Sequence, residues 1–274
     1  VEGEPTIDMN GVEPRRFGDY ATKSYLTVKN EEAYSHVFVT HFPDEERPAG
    51  RPLRTAPCYE RLKAKGAVFG QKFGWERANW FAPDGVPQED DWSFRRSKWF
   101  EHVGNEVMHV TENVGVLDMS AFGKCRISGS GAEVFLNKMV ANKLPKNNGR
   151  IILAHSLSKG GGVHSEFTIM KEKDDSFYLV SAGASQRLDH DWLKKRMPID
   201  GTVQFTDLTN SMGVLVVSGP KSRVLLQRVT ETDMSNDAFK WLTAKKIDIG
   251  YAPTIAARVN FVGELGWELH HPIE

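Results

Sequence analysis

The chain has 274 residues, 40% hydrophobic and 26% charged, with 35 basic against 36 acidic residues and a formal net charge of −1. That length can bury a substantial core, as one large or two ordinary domains. Charges of both signs are interspersed, which excludes an electrostatic footprint for nucleic acid or an anionic membrane, and no apolar run approaches the roughly 20 residues of a membrane span.

The acidic start, Val1-Glu2-Gly3-Glu4-Pro5, is unlike a signal peptide, so a cytoplasmic chain is expected. The missing initiator Met and the stop just after a strand lead to the expectation of an excerpt from a longer polypeptide. Cys58 and Cys125 lack CxxC or Cys/His spacing, so neither a disulfide framework nor zinc is indicated and both are expected as buried thiols.

In chain order, residues 1–16 carry Pro5 and Pro14 with little periodicity and read as a linker or edge segment. Asn30 before Glu31 and Glu32 looks like an N-cap, predicting a short helix to Phe38. Pro57 to Gly66 predicts a helix that opens on Pro and ends at Gly, followed by a strand over Ala67 to Phe73. Pro83 to Asp91 combines turn residues with three acids and no apolar period, the clearest boundary signal in the chain.

From Ser97, Trp99, Phe100, Val103, Val107 and Val110 recur at helical spacing, predicting an amphipathic helix that ends near Gly115. His102, Glu106 and His109 fall on it, but the pattern is not HExxH and a solvated face explains it better than a metal. Gly115 to Phe122 leads into a strand at Lys124 to Ser128, and Gly129-Ser130-Gly131 opens a helix to Val140. A dinucleotide reading fails because the third glycine and the βαβ continuation are absent, while Ser130 suits a helix N-cap.

Arg150 to Leu157 and Val163 to Met170 read as two strands joined by Ser158-Lys159-Gly160-Gly161-Gly162, a hairpin turn without the GKS/T continuation of a P-loop. Strand periodicity puts His164, Glu166, Thr168 and Met170 on one face. A strand at Phe177 to Ser181, a helix at Ala184 to Arg196 burying Leu188, Trp192 and Leu193, and strands near Val203–Phe205 and Val214–Val217 follow. Gly219-Pro220 then starts a helix whose Leu225, Leu226 and Val229 face inward. Hairpins rather than βαβ crossovers predict an α+β fold, antiparallel sheets flanked by helices.

Two apolar runs flank Gly263-Glu264-Leu265-Gly266, predicting a last hairpin in which Val262 faces Trp267 and Phe261 lies opposite Glu268. Cross-strand partners have Cβ atoms roughly 4.5–5.5 Å apart. An apolar ring beside a carboxylate suits a planar heteroaromatic such as a pterin or purine, its ring N–H and amino groups donating in parallel to the two oxygens. The plain alternative is one core residue next to one solvated one.

The Gly263-Glu-Leu-Gly-Trp-Glu268 run resembles the folate-binding domain shared by the glycine-cleavage T-protein and the dimethylglycine and sarcosine dehydrogenases. The resemblance implies a T-protein-like fold, truncated at its C-terminus, in which Glu268 binds the pterin and Phe261 takes a position usually held by Tyr. Leu-Asp-Met-Ser-Ala-Phe122 resembles the family's opening strand, making Phe122 a pocket residue, and Val180 a wall by the same likeness. The acid after the Gly-Gly turn maps to Glu166, near N5 and N10 of folate where the one-carbon unit reacts; the family usually has Asp there, and Tyr where this chain has Leu153.

Arg51 to Gly70 and Phe73 to Phe81 resemble the central segment that joins the FAD module to the folate module in dimethylglycine dehydrogenase-like enzymes. The implied organisation is a central segment over 1–82, a linker over 83–94 and an incomplete folate-binding domain over 95–274. The implied activity is transfer of a one-carbon unit from an N-methylglycine-derived iminium to tetrahydrofolate, with FAD supplied by a module outside the chain, and with neither nucleic acid nor membrane as partner. A degenerate folate-binding or structural module, an aminomethyltransferase of the T-protein type and a folate-dependent demethylase stand as alternatives.

Overall fold

The computed structural model describes residues 9–260 and 263–274. Helix α1 (Lys23–Ser35) starts eight residues before the predicted one, because the Thr22 hydroxyl accepts from the Tyr25 N–H and caps it, leaving Asn30 inside the helix. Helix α2 (Tyr59–Ala64) stops at Gly66, whose φ of 90° suits a residue without Cβ. A hairpin of β1 (Ala67–Lys72) and β2 (Trp75–Phe81) packs Val68 and Trp80 against Trp99 and Val103 of α3 (Trp99–Glu112). His102 of α3 stacks on Trp80 at 5.6 Å, so packing engages it rather than solvent alone.

The rest folds as two five-stranded sheets. One has the order β5 (Ile151–Leu157), β6 (Val163–Lys173), β7 (Ser176–Ser181), β4 (Gly123–Ser128), β8 (Gln204–Asp207). The other has the order β10 (Ala244–Ile249), β11 (Ala252–Ala257), β12 (Gly266–Pro272), β9 (Met212–Ser218), β3 (Gly115–Asp118). Every ladder between these strands is antiparallel, as the α+β reading expects.

Strand alternation sorts the side chains into layers. Ile127, Phe167, Ile169, Phe177 and Leu179 point outward from the first sheet onto helices α4 (Ala132–Met139) and α5 (Gln186–Lys194). Trp267, Leu269, Val217 and Ile247 point outward from the second, onto α6 (Ser222–Gln227) and the segment around Phe239. The intervening positions, Ile151, Met170, Tyr178 and Val180 from one sheet and Ala244, Ile255 and Ala257 from the other, form one core between the sheets. The layering is helix, sheet, sheet, helix.

Several local expectations are corrected. Ser130 caps nothing: Gly131 holds the N-cap position of α4, and its N–H donates to the Thr202 carbonyl. On α5 the buried residues are Asp189, His190 and Leu193, with Leu188 and Trp192 at the flanks. The Asp189 carboxyl, beside the Ser165 and Ser181 hydroxyls, is pushed up to about 6 by burial. Val229 lies beyond the end of α6 and is exposed, and Cys58 is only half-buried whereas Cys125 is buried.

The last hairpin differs most. Glu268 lies opposite Ala257 on one side and Val216 on the other, not opposite Phe261. Backbone bonds from Leu242 N–H to Arg258 O and from Arg258 N–H to Thr243 O, and a bond from Asn260 Nδ2 to Ser218 Oγ, draw residues 258–260 along β10 and β9. The strand paired with β12 on this side is therefore β11.

Candidate functional site

Strand β12 places Trp267 and Leu269 in the outer core, so Glu268 and His270, one pleat step apart, both turn toward the space between the sheets. Burying two polar groups there requires partners. His270 Nε2 lies 3.2 Å from Glu268 Oε2, and His270 Nδ1 lies 3.1 Å from the Tyr178 hydroxyl of β7. The Tyr178 and His270 rings also meet edge to face at 5.3 Å. Burial first, then the nearby Glu172 and Glu268 charges, hold the Tyr178 hydroxyl far above the usual phenol range, so it stays protonated and can donate.

On the facing sheet, the predicted residues share one cross-strand region. Leu153 pairs with Thr168, Thr168 with Val180, and Val180 with Lys124, a row running across β5, β6, β7 and β4. Val180 is buried in the inter-sheet core and Phe122 packs on the same cluster, whereas Leu153, on the edge strand, is 51% exposed. Glu166 lies two residues along β6 from Thr168, opposite His155, whose Nε2 is 3.0 Å from Glu166 Oε2.

Phe122 is held by a buried lysine. Lys124 Nζ donates to the carbonyls of Ser120 and Phe122 at 2.7 and 2.8 Å, fixing the turn between β3 and β4. Burial, and next the Arg54 charge, push its ammonium down to about 8.

The structure thus brings Phe122 and Val180 into one apolar wall and links Glu268 to the same sheet through His270 and Tyr178. Glu166 stands at the more open part of that face beside Leu153, joined to the wall by the strand row rather than by side-chain contact with Glu268. Phe261 lies outside the described residues. A cavity of about 340 Å³ is lined by His270 together with Met212, Lys246, Asp248, Ile255 and Pro272 among others; neither Glu166 nor Glu268 lines it.

Sequence reading missed His155, Tyr178, His270 and Lys124. His155 had only a partial signal: centring the hairpin on the Ser158–Gly162 turn puts it opposite Ser165, and an irregularity between Ser156 and Leu157 moves it one residue on, opposite Glu166. His270 also had one, since it shares a face with Glu268 by strand period. Tyr178 joins through a contact between sheets, which no local pattern encodes.

Residues 58–274 match the family described as GCVT N-terminal domain, and residues 2–56 match the FAD dependent oxidoreductase central domain. The chain is 38% identical to the mitochondrial dimethylglycine dehydrogenase of Mus musculus over 99% of its own length and 31% of the relative's. It is 28% identical to the mitochondrial sarcosine dehydrogenase of Homo sapiens, over 99% of its length and 34% of that protein's. The chain therefore spans about a third of these relatives. The solved structure of glycine cleavage system aminomethyltransferase T from Bartonella henselae shares the fold, with a TM-score of 0.65 at 20% identity over 81% of this chain and 54% of that one.

Proposed function

The chain belongs to the GCVT N-terminal domain family, and from that membership we propose that it is the tetrahydrofolate-holding part of a longer flavin-dependent enzyme of the dimethylglycine and sarcosine dehydrogenase type. The match of residues 2–56 to an FAD dependent oxidoreductase central domain supports the flavin partner. The chemistry folate supplies when bound is capture of a one-carbon unit, here from the iminium of an N-methylated glycine, to give 5,10-methylenetetrahydrofolate.

The observation that carries this reading is Glu268: a carboxylate on the inner face of β12, its side chain 14% exposed, opposite Ala257 of the inter-sheet core to which Phe122 and Val180 also belong. A pterin fits such a site, because its flat rings pack on apolar side chains while two parallel N–H groups donate to one carboxylate. Glu166 offers a second carboxylate that water reaches, already paired with an imidazole, which suits taking or holding a proton near the reacting nitrogens.

The test is titration calorimetry of the full-length gene product with 5-formyltetrahydrofolate, a stable reduced folate. Charge-assisted hydrogen bonds contribute about 1.5–3 kcal/mol, so Glu268→Ala is expected to weaken binding at least about tenfold. Unchanged affinity in a folded variant would remove the pterin from this site. Folate binding without one-carbon transfer, measured as methylenetetrahydrofolate formed from an N-methylated glycine, would leave a degenerate folate-binding module instead.

A further inference from the structure

We propose that His270 and Tyr178 form a positioning relay that sets the orientation of the Glu268 carboxylate for its ligand; this rests on the folate reading of Glu268. The relay crosses between sheets, Tyr178 on β7 and His270 with Glu268 on β12, and Tyr178 and His270 are both buried to 1% exposure. Its hydrogen-bond order follows from the groups themselves. An ionised carboxylate only accepts, so His270 Nε2 carries the hydrogen, which leaves Nδ1 to accept from the Tyr178 hydroxyl.

This order has a directional consequence. A glutamate on a strand has three side-chain torsions to fix, and the Nε2–H bond at 3.2 Å anchors one of its oxygens. That oxygen keeps a further lone pair, so both oxygens remain able to accept from two parallel N–H donors on a flat ligand. The His270 ring is itself clamped by the Tyr178 hydroxyl and by edge-to-face packing at 5.3 Å. The carboxylate is thereby ordered before ligand arrives, and the entropy of ordering it is not charged against binding.

The experiment is titration of the full-length gene product with 5-formyltetrahydrofolate, comparing Glu268→Gln, His270→Phe, His270→Gln and Tyr178→Phe. His270→Phe keeps a ring but removes the donor and is expected to weaken binding about tenfold, as loss of one charge-assisted bond does. His270→Gln places an amide N–H near the Nε2 position and is expected to restore affinity to within about twofold, with Tyr178→Phe between the two. A Glu268→Gln variant that binds like wild type overturns the folate reading itself. Weakened Glu268→Gln beside an undiminished His270→Phe overturns the relay alone, as does a His270→Gln no better than His270→Phe, which would mark a packing role. Should His270→Phe fail to fold, Tyr178→Phe decides: wild-type affinity overturns the relay, and weaker binding supports it.

Discussion

Two histidine–carboxylate pairs of similar length occupy the inner faces of the two sheets in opposite surroundings. His270 and Glu268 are 3.2 Å apart with side chains 1% and 14% exposed, whereas His155 and Glu166 are 3.0 Å apart with side chains 34% and 46% exposed. Geometry alone would rank them equal; solvent separates them. A buried polar group that loses its partner bears the full desolvation penalty, while an exposed pair exchanges its contact for water at little cost. The first pair is suited to hold a fixed shape. The second leaves its carboxylate open to water, in keeping with the proton-handling role proposed for Glu166.

Stability measurements should break the apparent equivalence most sharply at His270. Its replacement by Ala opens a cavity and orphans the Tyr178 hydroxyl, with an expected loss of about 2–4 kcal/mol in denaturant unfolding. A loss no larger than that of His155→Ala would show that burial does not distinguish the pairs.

Lys124 carries the same contrast to a cation, and its effect appears in pH dependence. Its folded value is pushed down to about 8 from an ordinary 10.5, so between those values the unfolded chain binds more protons than the folded one. Unfolding free energy therefore gains from this group as pH rises from about 8 to 10.5 and is flat in it below about 8, where both states are charged. Lys124→Met is expected to remove that rise in urea titrations across the window. A rise that persists in the variant would assign it to another group.

His155→Ala defines the small end, with an expected change of about 0.5 kcal/mol or less that shrinks further in added salt. Its effect should surface instead in one-carbon transfer, measured by single-turnover methylenetetrahydrofolate formation, with folate affinity held. Lower affinity together with unchanged transfer would reverse the roles assigned to the two pairs.

How much of this was legible in the sequence differs between the sheets. The β5–β6 hairpin is legible as a pair because the Ser158–Gly162 turn joins two strands in which Phe167 and Ile169 alternate with inward-facing residues, although an irregularity at Ser156/Leu157 shifts its register by one residue. The second sheet is less legible: the strand beside β12 is Ala252–Ala257 and not the more apolar run that begins at Val259. Ala-Pro-Thr-Ile-Ala-Ala has weak strand propensity and is held by neighbours on both edges rather than by its own preference.

The sequence by itself determined the α+β class, the strand face that Glu166 shares with Thr168 and Met170, and the family likeness, because strand period and turn glycines are local properties of the chain. Tertiary structure alone decided that Phe122 and Val180 share one inter-sheet core with Ala257, the strand neighbour of Glu268, that Tyr178 reaches His270 across 92 residues, and that one of two alike histidine–carboxylate pairs is largely buried. The reason is physical: a strand's pleat sets which way a side chain points, but only the packing of a second sheet sets what it meets and how much water remains.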